Sequence, residues 1–310
     1  MNKSIVYFGA SEFSARILEG LIASGVPVRL VITYPDKPKG RGRRLSPMPT
    51  KVVAKRLKVP VFEETNLHSE QLKRAIKQVE PYLGVVIGFR ILPEDIFTIP
   101  DKGTINLHPS LLPDLRGPAP LRWAILYGYR RSGITIFFIN RDVDTGEIIY
   151  QSEITIDPDE THSELEQRVA AVSIEPMKET IEKIFEGNCL NFPQPDIVNI
   201  KPAPKIKKSD RIINWNEGAE DIHNRVRALS ERPGAFSTFN RKRVVIIKSV
   251  VLDTRTEGRP GEVVSTEDIP IVQTGKGLIG ILFARPESRQ TVSGVELVNG
   301  LRIKVGDSFM

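Results

Sequence analysis

SIVYFGASEFSARILEGLIASGVPVRLVIT, residues 4–33, carries the pattern from which the fold follows. Residues 4–9 form a nearly continuous apolar run, as expected of a strand covered on both faces. In residues 11–24 the period changes: Phe13, Ile17, Leu18, Leu21 and Ile22 keep the spacing of one helical face. Residues 26–33 return to a strand-like run. Strand, helix and strand in that order predict an α/β fold, a parallel sheet wrapped by helices. The alternation continues outward. Residues 83–88, 103–108 and 133–140 read as further strands, and residues 52–57, 69–79 and 119–127 as helices. Residues 160–187 read as one longer helix, opened by a Thr161/Glu164 capping box, closed by Gly187, and kinked or interrupted by Pro176.

The composition changes near residue 190. Pro193, Pro195, Pro202 and Pro204 are followed by Lys205, Lys207 and Lys208, the chemistry of a semi-rigid basic linker. Beyond it residues 218–229 read as a helix. Residues 235–239, 244–251, 261–265, 270–274, 277–284 and 301–305 read as short strands at the spacing of a small barrel. The 310 residues fit about two domains at roughly 100–200 residues each. The expected division is a first domain over 1–190, a Pro/Lys-rich linker over 191–208 and a second domain over 209–310. A single cysteine, Cys189, excludes a disulfide framework and a Cys-rich metal site. The Asp-rich stretch at 142–147 lacks calcium-loop spacing, so no metal is expected. Met1-Asn2-Lys3-Ser4-Ile5 has no signal-peptide layout, and no apolar run nears the roughly 20 residues of a membrane span. A cytoplasmic monomer with no membrane partner is the expectation.

The net charge is +6, and it is unevenly spread. Residues 1–200 hold 25 Lys and Arg against 25 Asp and Glu, whereas residues 201–310 hold 19 against 13. A second concentration comprises Lys37, Lys39, Arg41, Arg43, Arg44 and Lys51, opposed only by Asp36. Such patches attract phosphates and polyanions, or are simply solvated basic faces. The loop over residues 35–50 holds four prolines and two glycines. Connectors longer than roughly 12–15 residues are usually functional or disordered.

After the first strand stands only Gly9, where a dinucleotide fingerprint needs three spaced glycines, so a nicotinamide enzyme is disfavoured. The densest polar cluster is Asn106-Leu107-His108-Pro109-Ser110. On a strand, Asn106 and His108 share a face. They are either a satisfied turn or a pair of hydrogen-bond donors at the crevice where open α/β sheets hold ligands. Asp144, within Asp142-Val143-Asp144-Thr145-Gly146-Glu147, is either good turn chemistry or a partner that fixes the His108 tautomer and favours its protonated form. Residues 111–120, with three prolines and Gly117, make a rigid loop able to wall a pocket and aim Arg116.

These motifs, with Gly133-Ile134-Thr135, resemble the enzymes that transfer formyl from 10-formyltetrahydrofolate. The loop PDKPKGRGRRLSPMPTK, residues 35–51, looks like the tRNA-contacting insertion of the methionyl-tRNA formyltransferases. The resemblance covers nearly the whole chain, including Ile212-Ile213-Asn214-Trp215. It implies a Rossmann-like formyltransferase domain, an OB-like barrel that binds tRNA, 10-formyltetrahydrofolate as donor and initiator methionyl-tRNA as acceptor. It implies Asn106, His108 and Asp144 as catalytic residues. Phe89, Arg90, Ile91, Leu92, Ser110, Leu111, Leu112, Pro113 and Asp142 would line the folate pocket. Relatives usually carry a small residue, Tyr and Gly where this chain has Gly88, Phe89 and Arg90, which puts the role of Arg90 in question. Lys37, Lys39, Arg41, Arg43, Arg44, Lys207 and Lys208 would contact tRNA. An amine attacking a formamide carbon passes through a tetrahedral species with charge on oxygen. Asn106 and His108 would hold that oxygen with preorganised donors, while Asp144 orients His108 and assists proton movement.

Overall fold

The computed structural model describes residues 3–39, 44–253 and 258–310, and it divides into two compact units. The first comprises residues 1–120, 132–154 and 166–202. Its opening is the strand–helix–strand unit read from the sequence: β1 (Ile5–Gly9), α1 (Glu12–Ala23) and β2 (Val28–Thr33). All five residues of β1 are buried, the signature of a strand covered on both faces. Ser11 and Ser14 cap α1 reciprocally, which ends the strand and starts the helix within three residues.

The loop after β2 is not structureless. It opens with a two-stranded hairpin, β3 (Lys37–Lys39) against β4 (Arg44–Ser46). Next come α2 (Pro49–Arg56), β5 (Val61–Glu63), α3 (Glu70–Gln78), β6 (Leu83–Ile87), α4 (Glu94–Phe97), β7 (Thr104–His108) and α5 (Pro120–Leu126). They are followed by β8 (Arg131–Phe138), β9 (Ile148–Thr155), α6 (His162–Val172) and α7 (Ile174–Glu186). The large sheet runs β5-β2-β1-β6-β7-β8-β9, parallel as far as β7, where β8 reverses direction. Strand β9 had no counterpart in the sequence reading. Its buried residues are spaced by half-exposed ones, so it carries no continuous apolar run. The long helix expected over 160–187 is two helices broken at Ser173, whose hydroxyl donates to the carbonyl of Val169. Pro176 falls in the first turn of α7, where its missing N–H is least costly.

The second unit comprises residues 121–131, 155–165 and 203–310. After α8 (Ala219–Leu229) come β10 (Ala235–Phe239), β11 (Lys242–Asp253), β12 (Val263–Ser265), β13 (Ile271–Gln273), β14 (Leu278–Pro286), β15 (Val292–Ser293) and α9 (Gly294–Leu301). The sheet is antiparallel in the order β10-β11-β14-β13-β12, with β15 on β14. Register shifts along β11 let this twelve-residue strand bend. Trp215, from the motif at 212–215, is a core anchor. It is buried, its indole N–H donates to Ser237 at 2.9 Å, and Phe309 packs beside it. The strand expected at 301–305 is absent. A Ser293/Glu296 capping box starts α9 instead, and the chain beyond it is irregular.

Candidate active site

The antiparallel turn of the sheet brings the catalytic candidates together. Asn106 stands opposite Phe137 and His108 opposite Thr135, and β8 ends with Phe138 opposite Ile105, near the start of β7. The turn that follows β8 leaves from that end, with the Ile139 N–H donating to the Thr104 carbonyl at 2.9 Å. Asn140 knits that turn, its amide oxygen accepting from the Asp142 N–H and the Thr145 hydroxyl. The Asp144 carboxylate comes to 3.9 Å from Nδ1 of His108 and accepts the Gly117 N–H at 2.9 Å.

His108 is 4% exposed. Its Nε2 faces the Leu115 carbonyl at 2.9 Å, and a carbonyl can only accept, so Nε2 carries the hydrogen. Nδ1 is thereby left toward Asp144. Burial pulls the imidazole below its ordinary pKa. Asp144 and the Leu115 hydrogen bond push it up by less, and Arg116 adds to the lowering. The expected preference for the protonated form is thus corrected: the carboxylate acts in that direction, but desolvation outweighs it.

Both groups that grip His108 stand on strained backbone. Leu115 has φ +60° and Asp144 φ +54°, the left-handed region, which costs a side-chain-bearing residue roughly 1–3 kcal/mol. Such residues persist where their surroundings over-determine them. Here the Leu115 N–H donates to the Lys201 carbonyl at 2.8 Å, and the Gln194 amide donates to the Asp144 carbonyl at 2.9 Å. Neither Leu115 nor Gln194 stood out in the sequence. No side-chain pattern announces a backbone carbonyl, and Gln194 lies between two prolines in a stretch read as linker. That stretch divides: residues through 202 belong with the first unit, and residues from 203 with the second.

The other expected site residues are spread more widely. Asn106 is half-buried on the same face as His108. Phe89 stacks on Tyr34 with ring centroids 4.6 Å apart, and the Arg90 guanidinium lies 4.9 Å from the same ring. Ile91 is 69% exposed and available as an apolar wall, whereas Leu92 is buried in the core with Ile96 and Phe97. Asp142 is exposed and Leu111 half-buried. Ser110, Leu112 and Pro113 are buried; the Ser110 hydroxyl donates to Asp114, and the Leu112 N–H donates to Thr135. An apolar ledge beside a few polar groups suits an aromatic ligand such as a pterin.

Of the basic residues, Lys37 is exposed and lies 4.9 Å from the Tyr34 ring. Arg41 and Arg43 lie outside the described residues, and only the backbone of Lys39 and Arg44 is described. Lys207 and Lys208 are exposed. Lys51 does not belong to a free basic surface: its ammonium is paired with Asp36 at 2.5 Å and Glu63 at 2.8 Å.

Comparison with known proteins identifies the class to which this fold belongs, the formyltransferases. The family model described as "Formyl transferase" matches residues 2–181, and "Formyl transferase, C-terminal domain" matches residues 205–302. Two curated relatives are a methionyl-tRNA formyltransferase of Thermodesulfovibrio yellowstonii, 37% identical with 100% of both chains covered, and one of Syntrophomonas wolfei, 36% identical with 97% of both covered. The chain belongs to the methionyl-tRNA formyltransferase family. In fold it is similar to HypX from Aquifex aeolicus, crystallised with tetrahydrofolic acid (TM-score 0.68, 18% identity). That match covers 99% of this chain and 49% of HypX. It is also similar in fold to an N-formyltransferase from Helicobacter canadensis, crystallised with folinic acid and dTDP-3-aminofucose (TM-score 0.67, 21% identity, 90% and 98% covered).

Proposed function

We propose that the chain transfers the formyl group of 10-formyltetrahydrofolate to the α-amino group of initiator methionyl-tRNA. The products are N-formylmethionyl-tRNA and tetrahydrofolate, and the reaction takes place in the cytoplasm, on a monomer, without a metal. The observation that carries this reading is the end-to-end likeness to methionyl-tRNA formyltransferases, joined to the His108–Asp144 pair.

The donor supplies an activated formyl carbon on nitrogen; the protein supplies geometry and proton handling. Asn106 presents its amide NH₂ to the formyl oxygen as negative charge develops there. His108, anchored through Nε2–H to Leu115, offers Nδ1 to the proton that the attacking amine must lose. Asp144, 3.9 Å away, stabilises the resulting imidazolium, which returns the proton to the departing folate nitrogen. This assigns His108 the role of proton carrier rather than the second oxyanion donor expected from sequence. The neutral form has no hydrogen on Nδ1 to give.

α-Amino groups have pKa values of about 7.7–8.0, so an appreciable fraction of the acceptor is already nucleophilic near neutrality. Tyr34, Phe89 and Ile91 provide the apolar side of the donor pocket. Arg41, together with Lys207 and Lys208, provides phosphate contacts. The deciding assay is labelled formyl transfer onto methionylated initiator and elongator tRNA. Transfer to the initiator alone is the expected result; no transfer, or transfer to an amino sugar instead, rejects the proposal.

A further inference from the structure

Residues 190–202 are exposed with one exception, Gln194, which is half-buried. Its amide NH₂ donates to two carbonyls of the catalytic turn, Asp144 and Gly146, each at 2.9 Å. Its amide oxygen accepts from the Arg116 guanidinium at 2.6 Å. One side chain therefore ties the turn carrying the catalytic carboxylate to the loop carrying the Leu115 carbonyl. The chain around it is pinned at both ends. Phe192 exchanges backbone hydrogen bonds with Ile148 at the start of β9. Nine residues on, the Lys201 carbonyl accepts the Leu115 N–H, and the Lys201 N–H donates to the Asp114 carboxylate at 2.7 Å.

We infer that residues 192–201 are a strap that holds the catalytic geometry, and that Gln194 is its positioning residue. The inference rests on the formyltransferase reading. Gln194 touches no reacting atom in this account; it acts through the backbone of Asp144. Two left-handed residues, Leu115 and Asp144, set the two partners of His108, and the strap bonds each of them from outside. Releasing the Asp144 carbonyl lets the turn relax, and the carboxylate then loses its fixed place beside Nδ1. Proton transfer depends on that place and tRNA binding does not; donor binding shifts with the turn, since Asp142 of the same turn is expected to line the donor pocket.

The test uses the full chain with Gln194→Ala and Gln194→Glu. The glutamate is nearly isosteric and keeps the acceptor for Arg116 but loses both donations to the turn. Both variants should melt near the wild type and keep KM for tRNA. Both should lose kcat by about 10- to 100-fold, the scale on which small misplacements act. The His108 imidazole titration, followed by NMR without substrate, should move in both. Unchanged kcat and an unmoved titration in Gln194→Ala would overturn the strap. Wild-type behaviour of Gln194→Glu would overturn the assignment to Asp144 and leave only the Arg116 contact. Wild-type protein that formylates no methionyl-tRNA would sink the functional reading instead, and the substrate-free titration would still decide the role of Gln194.

Discussion

At the scale of single residues, the chemistry turns on which nitrogen of His108 is free. The Leu115 carbonyl takes the Nε2 hydrogen, so the neutral ring is a base toward Asp144. Burial holds its pKa below the ordinary 6.5. Two outcomes follow. The acceptor amine itself sets one limb of kcat against pH, at about 7.7–8.0. Below it kcat should show a second acid limb, under 6.5, because the base is lost when the ring protonates; absence of that second limb rejects the assignment. Asn106→Ala should reduce kcat by roughly 10²–10³-fold with little change in KM, as for loss of one oxyanion donor. Steady-state kinetics on charged initiator tRNA would measure both. Asn106, His108 and Asp144 stood out in the sequence as polar clusters, each equally readable as a turn, and the family resemblance singled them out as candidates. Leu115 did not, since it contributes a carbonyl that every residue possesses.

At the scale of elements, the turn between β8 and β9 is the sensitive part. A Cβ on Gly146 would lie 1.6 Å from the Phe138 carbonyl oxygen, and backbone cannot yield cheaply. Gly146→Ala should therefore displace the turn and cost about 10²-fold in kcat, together with about 1–3 kcal/mol of stability. Single-turnover rates and denaturant unfolding would separate the two effects. The hairpin β3–β4 makes a different prediction. Arg41→Ala should lose activity on charged tRNA while donor binding, read by fluorescence or calorimetry, stays intact. Among elements, the buried strands β1, β2 and β6 were legible from continuous apolar runs, as was α1 from its period. Strand β9 was obscured by its half-exposed pattern. The expected final strand at 301–305 does not form: α9 runs to Leu301, and Arg302, its C-cap, takes a left-handed backbone that breaks extended structure.

At the scale of the whole molecule, charge and titration give the tests. If the chain contacts about six or more phosphates, tRNA affinity should fall by roughly 10³-fold or more between about 50 and 200 mM salt. A flat salt response in a filter-binding or anisotropy measurement counts against a phosphate-binding surface. Stability should depend on pH through the buried histidines. His108, His162 and His223 all lie below their ordinary pKa values, with burial the leading cause, and His162 is pulled down to about 3. The unfolded chain thus binds more protons below about 6.5, and stability falls as pH drops from there. His162→Gln should flatten that dependence by up to about 1.4 kcal/mol per pH unit. Urea unfolding of both proteins at two pH values below neutrality would check it.

Composition and periodicity alone determined the α/β class and the change of character near residue 190, because apolar spacing is a local property; the three catalytic candidates came from motifs resembling a known family. Only the tertiary structure decided that β8 runs antiparallel and that Asp144 comes within 3.9 Å of His108. It alone decided that the ring's Nε2 is spent on a carbonyl, that Lys51 is paired away, and that the proline-rich segment reaches back onto the catalytic loops. Each of these rests on contacts between residues distant in the chain, and on which of two polar partners burial leaves within reach.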